Sequence, residues 1–340
     1  MVPKTNRQVR LKSRPVGIPQ AEHFEIVETA VPEVGEREVL VANRFLSVDP
    51  AMRGWVNAVA NYSRPVGIGE VMRSYAAGTV VASRHSAWHE GDLVTGQFGW
   101  QEVARSDGSA ITRKVKETDL PLSLALGVLG LNGVTAYFGF LDVGQPVPGD
   151  TVVVSTAAGA VGSAVGQIAK IMGCRTVGIA GGPEKVALCR EAFGYDAAID
   201  YKAARGDLGA AVAAACPNGV NVYYDNTSGA ISDAVLPHLA VGARVVICGT
   251  ASVATWDPPP LGPRLERHLL VKRARMQGFV AFDYAHRTEE AVARLAHWVR
   301  EKKLAYREDI LDGIEACPDA IAGLYRGDNM GKRLIRLAGP

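Results

Sequence analysis

The chain has few cysteines for its length, and their positions exclude two kinds of site. Five of the 340 residues are cysteine, none lies before residue 174, and no two have the C-x-x-C spacing. A chain of this length buries a sizeable core without disulfides, so we expect free thiols and a reducing, cytoplasmic compartment. A structural zinc site, which needs a cysteine cluster, is not expected either.

The sequence also lacks an excess of charge and an uninterrupted apolar run. Lys and Arg number 37 against 35 for Asp and Glu, and a net charge of +2 gives no field that would attract nucleic acid or an anionic membrane. The most apolar stretch, residues 122–143, contains Asn132, Asp142 and several glycines, so it is predicted to be core and not a membrane span. No apolar run follows the basic residues near the start, so a secretory signal is not expected. A small molecule is the favoured partner.

Two sequence patterns divide the chain. Between residues 24 and 113, short apolar runs at 38–42, 78–83 and 92–95 are bounded by Gly, Pro, Asp and Asn, which predicts a mostly β domain. Between residues 150 and 300, apolar runs alternate with helical segments, and the runs lie at 151–155, 176–180, 220–224 and 244–248. That alternation predicts a doubly wound parallel sheet.

The end of the chain returns to the first pattern. Residues 332–337 predict a strand that closes back onto the first domain. We therefore predict an α/β protein in which a β domain over 1–130 and 305–340 flanks a doubly wound, Rossmann-type domain over 131–304.

A turn of small residues follows the apolar run at 151–155. It has the pattern A-x-G-x-x-G and contains Ala157, Ala158, Gly159, Ala160, Val161 and Gly162. Small residues let a backbone approach a pyrophosphate closely, and the helix that follows directs its free N–H groups at the anion. Val161, Val165, Ile168 and Met172 predict that one face of this helix is buried. A tight strand-to-helix connection without a ligand is the alternative, but the strand, turn and helix together favour a dinucleotide site.

The residues after 176–180 indicate which dinucleotide is bound. An NAD-binding protein normally has an Asp or Glu at this strand end for the adenosine ribose, whereas here the strand ends on Gly181 and Gly182. Lys185 follows in a helix that Pro183 begins, and its ammonium group suits a ribose 2′-phosphate. NADPH is therefore predicted over NADH. In the alternative, Glu184 binds the ribose and Lys185 is a solvated surface residue.

Residues for metal or acyl-transfer chemistry are scarce. A catalytic zinc in this layout takes ligands from the first domain, which has no cysteine and contains only His23, His85 and His89. We therefore predict no metal site. No G-x-S-x-G motif or Cys/His nucleophile arrangement occurs, so acyl transfer has no support.

Several motifs resemble one family in order along essentially the whole chain. They are 46–53 (LSVDPAMR), 125–127 (ALG), 135–139 (TAYFG), 157–162 (AAGAVG), 225–226 (DN) and 327–332 (GDNMGK). The chain resembles the zinc-free medium-chain reductases, which include prostaglandin reductase, plant alkenal double-bond reductases and bacterial curcumin reductase. The resemblance implies a GroES-like β domain, a Rossmann domain, a homodimer, and reduction by NADPH of the carbon–carbon double bond of α,β-unsaturated aldehydes or ketones.

The resemblance also implies where the cofactor binds. The pyrophosphate is expected at Ala158 to Gly162 and the 2′-phosphate near Lys185 and Tyr201. The residues expected at the ribose, the nicotinamide and its carboxamide are Asn226, Gly249, Thr250, Phe279, Val280 and Ala281. Asn329 belongs to a loop that reaches the cofactor from the other domain, although beside two glycines it is equally well explained as a turn residue.

Hydride addition to an enone leaves negative charge on the carbonyl oxygen, and a hydrogen-bond donor must stabilise that charge. Tyr62 falls where the family has its S-Y-x-P-P segment and is the expected donor, with a packing role as the alternative. A second tyrosine that some relatives have near the proline cluster is absent, since Trp256 and Val271 stand there, and Tyr284 is a weaker candidate. Two other functions remain open: a quinone reductase, and a redox sensor that binds NADPH without turnover.

Overall fold

The computed structural model describes residues 4–58, 63–204, 206–253, 258 and 260–338. The chain divides into two compact units. Unit 1 comprises Met1–Leu126 and Glu308–Pro340, and unit 2 comprises Gly127–Arg307. The roles predicted from the sequence, substrate domain and cofactor domain, stay predictions at this point.

The first part of unit 1 consists mainly of strands. They are β1 (Thr5–Leu11), β2 (Phe24–Ala30), β3 (Val39–Ser47), β4 (Ala76–Ser83), β5 (Leu93–Gly96), β6 (Val103–Ser106) and β7 (Ile111–Lys114), with the short helix α1 (Met52–Trp55) after β3.

In unit 2 helices and strands alternate along the chain. They are α2 (Leu131–Phe138), β8 (Thr151–Ser155), α3 (Ala160–Ile171), β9 (Arg175–Ala180), α4 (Pro183–Glu191), β10 (Ala197–Asp200), α5 (Leu208–Ala215), β11 (Val220–Asp225), α6 (Gly229–Val235), β12 (Leu239–Ile247), α7 (Glu266–Lys272), β13 (Arg275–Gly278) and α8 (Thr288–Arg300). The chain then returns to unit 1 with β14 (Glu308–Asp312), α9 (Cys317–Arg326) and β15 (Lys332–Arg336).

The main sheet of unit 1 has the strand order β14-β15-β3-β4-β5-β7, and β6 also pairs with β3. Among the described strands of this sheet, β14 and β15 pair in parallel and all other pairs are antiparallel. β1 and β2 form a separate antiparallel pair. The core of the unit includes residues from both pieces of chain, among them Trp100 and Ile335. The strand predicted at 332–337 therefore belongs to unit 1.

Unit 2 contains a six-stranded sheet in the order β10-β9-β8-β11-β12-β13, and every neighbouring pair is parallel. Its four central strands, β9, β8, β11 and β12, contain most of its Val and Ile, as expected for strands that are covered on both faces. All six carboxyl ends lie at one edge, and the order reverses next to β8, which is where a doubly wound sheet binds its ligand. The predicted fold class, a Rossmann-type parallel sheet with a second β domain, is confirmed.

Two local predictions need correction. The strand predicted at 244–248 is the second half of β12, which begins five residues earlier, at Leu239. α3 is buried over all of 162–169 and not on one face, while Val161 and Met172 are only half-buried. The reason is that α3 packs against both α2 and the strands β8 and β9.

Candidate functional site

The turn between β8 and α3 has a tight backbone. Thr156 adopts φ 54°, a left-handed conformation that is unfavourable for a β-branched residue. The N–H of Gly159 donates to the carbonyl of Thr156 at 2.9 Å. A Cβ on Gly162 would lie 2.3 Å from that same carbonyl oxygen, so only glycine fits there. The turn is therefore held in one shape by contacts of its own backbone.

The first turn of α3 presents N–H groups to that edge of the sheet. In the part of the chain that the structure describes, no carbonyl accepts the N–H of Ala160, Val161 or Gly162. The next N–H, that of Ser163, donates to the carbonyl of Gly159 at 2.9 Å. Free N–H groups at the positive end of a helix of 12 residues suit an anion such as a pyrophosphate.

Gly181 and Tyr201 lie together beyond the ends of β9 and β10, and Lys185 follows in the first turn of α4. The N–H of Tyr201 donates to the carbonyl of Ala180 at 3.1 Å. The Tyr201 ring lies so close to Gly181 that a Cβ there would be 2.8 Å from it. Lys185 is half-buried in the first turn of α4, and the neighbouring Glu184 is exposed.

Asp200, at the end of β10, is a carboxylate that the sequence analysis did not place at this turn. Its Oδ1 accepts hydrogen bonds from the N–H groups of Gly182 and Lys202, both at 2.9 Å, and of Ala203 at 3.4 Å. The bond from Gly182 is the main cause that lowers the pKa of this carboxyl below its usual value. Asp200 thus ties the turn after β9 to the turn after β10.

A second carboxylate that the sequence analysis missed lies beneath Asn226. Asp225 is 1% exposed and accepts hydrogen bonds at Oδ1 from the Tyr223 hydroxyl at 3.0 Å and from the N–H groups of Thr227 and Ser228, both at 2.9 Å. Its Oδ2 accepts from the Ser232 hydroxyl at 2.5 Å. These donors compensate the buried charge and hold the loop after β11. The only sequence signal for this network was the Asp-Asn pair at the strand end.

Ser155 connects Asn226 to the glycine-rich turn. Its hydroxyl accepts the N–H of Asn226 at 2.8 Å, and its carbonyl accepts from the Asn226 side-chain amide at 2.7 Å. Gly249 completes the group, because its N–H donates to the Asp225 carbonyl at 3.1 Å and a Cβ on it would lie 3.0 Å from the Asn226 carbonyl oxygen. The structure therefore brings the ends of β8, β11 and β12 together.

The remaining sequence-predicted residues lie further along the chain. Thr250 follows Gly249, and the half-buried residues Phe279, Val280 and Ala281 follow β13. All of these belong to unit 2 and lie at the carboxyl ends of its strands. Tyr284 stacks on Phe138 with ring centroids 4.6 Å apart, and burial raises the pKa of its hydroxyl.

Asn329 and Tyr62 belong to unit 1. The Asn329 amide donates to the carbonyl of Gly331 at 2.8 Å, within the turn that precedes β15. Next to it Lys332 is buried, and its Nζ contacts Ser47 Oγ and Asp49 Oδ1, both at 2.7 Å, so the motif at 327–332 is joined to the motif at 46–53. Tyr62 lies outside the described residues, and so does Trp256.

Neither a metal cluster nor a membrane helix is found in the described ranges. No group of three or more His, Cys, Asp or Glu side chains there is placed to hold a metal ion. The longest helix described, α8, has 13 residues, and no described helix has the length and hydropathy needed to cross a membrane.

Comparison with known proteins covers nearly the whole chain. One family model, N-terminal domain of oxidoreductase, matches residues 7–114, and another, zinc-binding dehydrogenase, matches residues 160–297. The NADPH-dependent curcumin reductase of Escherichia coli is 44% identical over 339 residues, which is 98% of this chain and 97% of that protein. The NADP(+)-dependent 2-alkenal reductase of Nicotiana tabacum is 37% identical over 98% of both proteins. The structure of CurA from Vibrio vulnificus in complex with NADPH is similar with a TM-score of 0.89 and 42% identity, covering 98% of this chain and all of that one.

Proposed function

Because the chain is an oxidoreductase of the medium-chain dehydrogenase/reductase family, in the branch of the curcumin, alkenal and prostaglandin reductases, we propose that it uses NADPH to reduce the carbon–carbon double bond of α,β-unsaturated aldehydes and ketones. The observation that carries the proposal is the carboxyl edge of the sheet in unit 2. There a turn with free N–H groups, a glycine strand end with a lysine, and the network of Asn226 lie along one line of strand ends.

The residues present fit NADPH. The free N–H groups from Ala160 to Gly162, together with Ala158 and Gly159, suit its pyrophosphate. Lys185 and Tyr201 suit its 2′-phosphate, because Lys185 supplies a positive charge and the end of β9, at Gly181 and Gly182, has no carboxylate side chain of its own. Asn226, Gly249 and Thr250 then contact the ribose and the nicotinamide. The backbone of Phe279, Val280 and Ala281 contacts the carboxamide. We assign Asn329 to the same cofactor.

NADPH bound in this way supplies the hydride. Addition at the β-carbon of the enone leaves negative charge on the carbonyl oxygen, and the Tyr62 hydroxyl donates a hydrogen bond to that oxygen. Solvent then protonates the α-carbon, so the product keeps its carbonyl group. In this scheme Tyr62 is the catalytic residue.

We propose further that the reaction needs no metal ion and that the protein is cytoplasmic. In this proposal a tyrosine hydroxyl, and not a metal ion, stabilises the negative charge on the carbonyl oxygen. Unit 1 offers few metal ligands, because it has no cysteine before Cys317 and only three histidines. The five cysteines are free thiols, as is usual in a reducing compartment.

A homodimer is also part of the proposal. β13 is an edge strand of the parallel sheet, and an unpaired edge is a template for pairing with a second copy. Beside it, α7 has no buried residue, and Leu270 and Val271 are 77% and 56% exposed. An edge strand next to exposed apolar side chains suits an isologous contact between two copies of this chain.

The proposal is tested by the oxidation of NADPH, with NADH as control, in the presence of a long-chain 2-alkenal, an α,β-unsaturated ketone and a quinone. We expect turnover of both enones, a saturated carbonyl product by mass spectrometry, and a strong preference for NADPH.

Lys185→Ala should raise KM for NADPH about tenfold and leave KM for NADH unchanged, because one charge-assisted contact is lost. Tyr62→Phe should lower kcat about 100-fold with cofactor binding unchanged.

Lys303→Ala is the matched control for Lys185→Ala, since Lys303 pairs with Glu301 at the surface. Activity with the quinone alone would replace the proposal by quinone reduction. Tight NADPH binding without turnover of any acceptor would instead indicate a redox sensor.

A further inference from the structure

Gly139 occupies a position where the backbone does not require glycine. It follows α2 and begins a π-helical stretch, Gly139–Gly144, and its own angles are φ −58° and ψ −36°. These are ordinary right-handed helical values, which alanine adopts more readily than glycine. The reason for glycine must therefore lie in what packs against it.

Two aromatic side chains pack directly on the Gly139 backbone. A Cβ on Gly139 would lie 2.3 Å from Cζ of Phe279 and 2.5 Å from the hydroxyl oxygen of Tyr224. Tyr224 has no room to move, because it is fully buried and its hydroxyl donates to the carbonyl of Thr135 at 2.9 Å. Phe279 is only half-buried and follows the edge strand β13, so Phe279 is the group that a methyl at position 139 would displace.

The segment that begins at Phe279 is attached to α2 through aromatic contacts. The Phe279 ring meets Tyr284 edge-on with centroids 6.4 Å apart, and Tyr284 stacks on the fully buried Phe138 at 4.6 Å. Phe138 and Gly139 are adjacent in sequence. Both ends of the segment 279–284, Phe279 and Tyr284, therefore pack on the same helical turn. Displacing the Phe279 ring would move the start of this segment.

We infer that Gly139 is a positioning residue for the nicotinamide half of the cofactor: the lack of a side chain lets the Phe279 ring sit on the helix backbone and fixes the backbone of 279–281. The inference rests on the proposed function, which places the carboxamide at Phe279, Val280 and Ala281. The adenosine half of NADPH is assigned to Ala158–Gly162, Lys185 and Tyr201, whereas the three atoms nearest a Cβ on Gly139 belong to Phe279 and Tyr224. Gly139 thus acts on one half of the ligand only.

The test compares Gly139→Ala with Gly209→Ala, another helical glycine whose Cβ would meet nothing closer than 3.6 Å. Binding of NADPH and of 2′-phospho-ADP-ribose, which lacks the nicotinamide, is measured by calorimetry for the wild type and both variants. We expect Gly139→Ala to weaken NADPH binding about tenfold and to change binding of the fragment less than about twofold. Gly209→Ala should match the wild type with both ligands.

A second variant and a second measurement guard against a general loss of structure. Phe279→Ala removes the ring that Gly139 receives, so it should also weaken NADPH and spare the fragment. Amide exchange without ligand should show faster exchange at 279–284 in both variants and unchanged exchange at 158–162.

The outcomes separate this inference from the proposed function. Equal loss of NADPH and fragment in Gly139→Ala, or no loss of either, would overturn the positioning role while leaving the cofactor assignment intact. A wild-type protein that binds neither ligand would overturn both.

Discussion

At the scale of single residues, three buried or half-buried charged groups show how partners decide what a charge does. Asp225 has hydrogen-bond donors at both carboxylate oxygens, and Lys332 is enclosed by Ser47 and Asp49. Glu308 differs, since Oε2 accepts from the Ser123 hydroxyl at 2.9 Å but Oε1 is buried without a partner among the described residues. A buried carboxylate with an unsatisfied oxygen is stabilised by taking up a proton.

Glu308→Gln should therefore change how stability depends on pH. Burial raises the pKa of Glu308, against the smaller opposing effects of the Ser123 hydrogen bond and the Lys332 charge. A raised pKa in the folded state stabilises the wild type below the unfolded-state pKa of about 4.3, and this contribution is lost as pH rises through the folded pKa. We expect the variant to unfold at a higher urea concentration than the wild type at pH 8 and at the same concentration near pH 4. A constant difference across this range would contradict the argument, and the exposed Glu36→Gln is the control.

At the scale of elements, the connection between β8 and α3 combines a strained residue with a close approach. Thr156 is held at positive φ, and its carbonyl accepts from Gly159 while lying against Gly162. The strained conformation persists because β8 and α3 are both buried, so the positions of the two ends of the turn are fixed. The same geometry leaves the first N–H groups of α3 free for an anion.

Gly162→Ala should disrupt this connection. The added Cβ would lie 2.3 Å from the Thr156 oxygen and 2.9 Å from Ala157 Cα, and both are backbone atoms that cannot move independently. We expect a loss of about 1–3 kcal/mol in the free energy of unfolding and a more than tenfold loss of affinity for both NADPH and 2′-phospho-ADP-ribose. Thermal unfolding and calorimetry measure the two effects. Gly209→Ala, also a helical glycine, serves as control, and an unchanged affinity in Gly162→Ala would argue against an anion at this turn.

At the scale of the whole molecule, the chain forms unit 1 from two separate pieces and inserts unit 2 between them. β14, α9 and β15 follow unit 2 in the chain and complete unit 1, and β15 pairs with β3 more than 280 residues away in sequence. Each unit has its own buried core. The exposed edge at β13 and α7 belongs to unit 2 and is the surface on which the proposed dimer depends.

Light scattering of the purified protein should give twice the mass of one chain. Leu270→Glu combined with Val271→Glu should give the mass of a single chain, because it places charges on the apolar surface beside the edge strand. Ile68→Glu is the matched control, since Ile68 is 55% exposed and belongs to unit 1, so this variant should leave the dimer intact. A wild type with the mass of one chain would rule out the dimer.

Most of the architecture was determined by the sequence alone. The runs at 151–155, 176–180 and 220–224 match β8, β9 and β11 to within one residue at each end, and the small residues at 157–162 lead into α3, which begins at Ala160. These features depend on neighbours a few positions apart, through apolar periodicity and the small size of turn residues. The assignment of individual residues to NADPH stays a prediction.

Contacts between distant parts of the chain were decided only by the tertiary structure. Asp200 reaches the turn after β9 because β10 lies beside β9 in the sheet, and Ser155 holds Asn226 because β8 lies beside β11. The Phe279 ring meets Gly139 across 140 positions of sequence. Local patterns contain no information on such pairs, since strand order and register determine which side chains become neighbours.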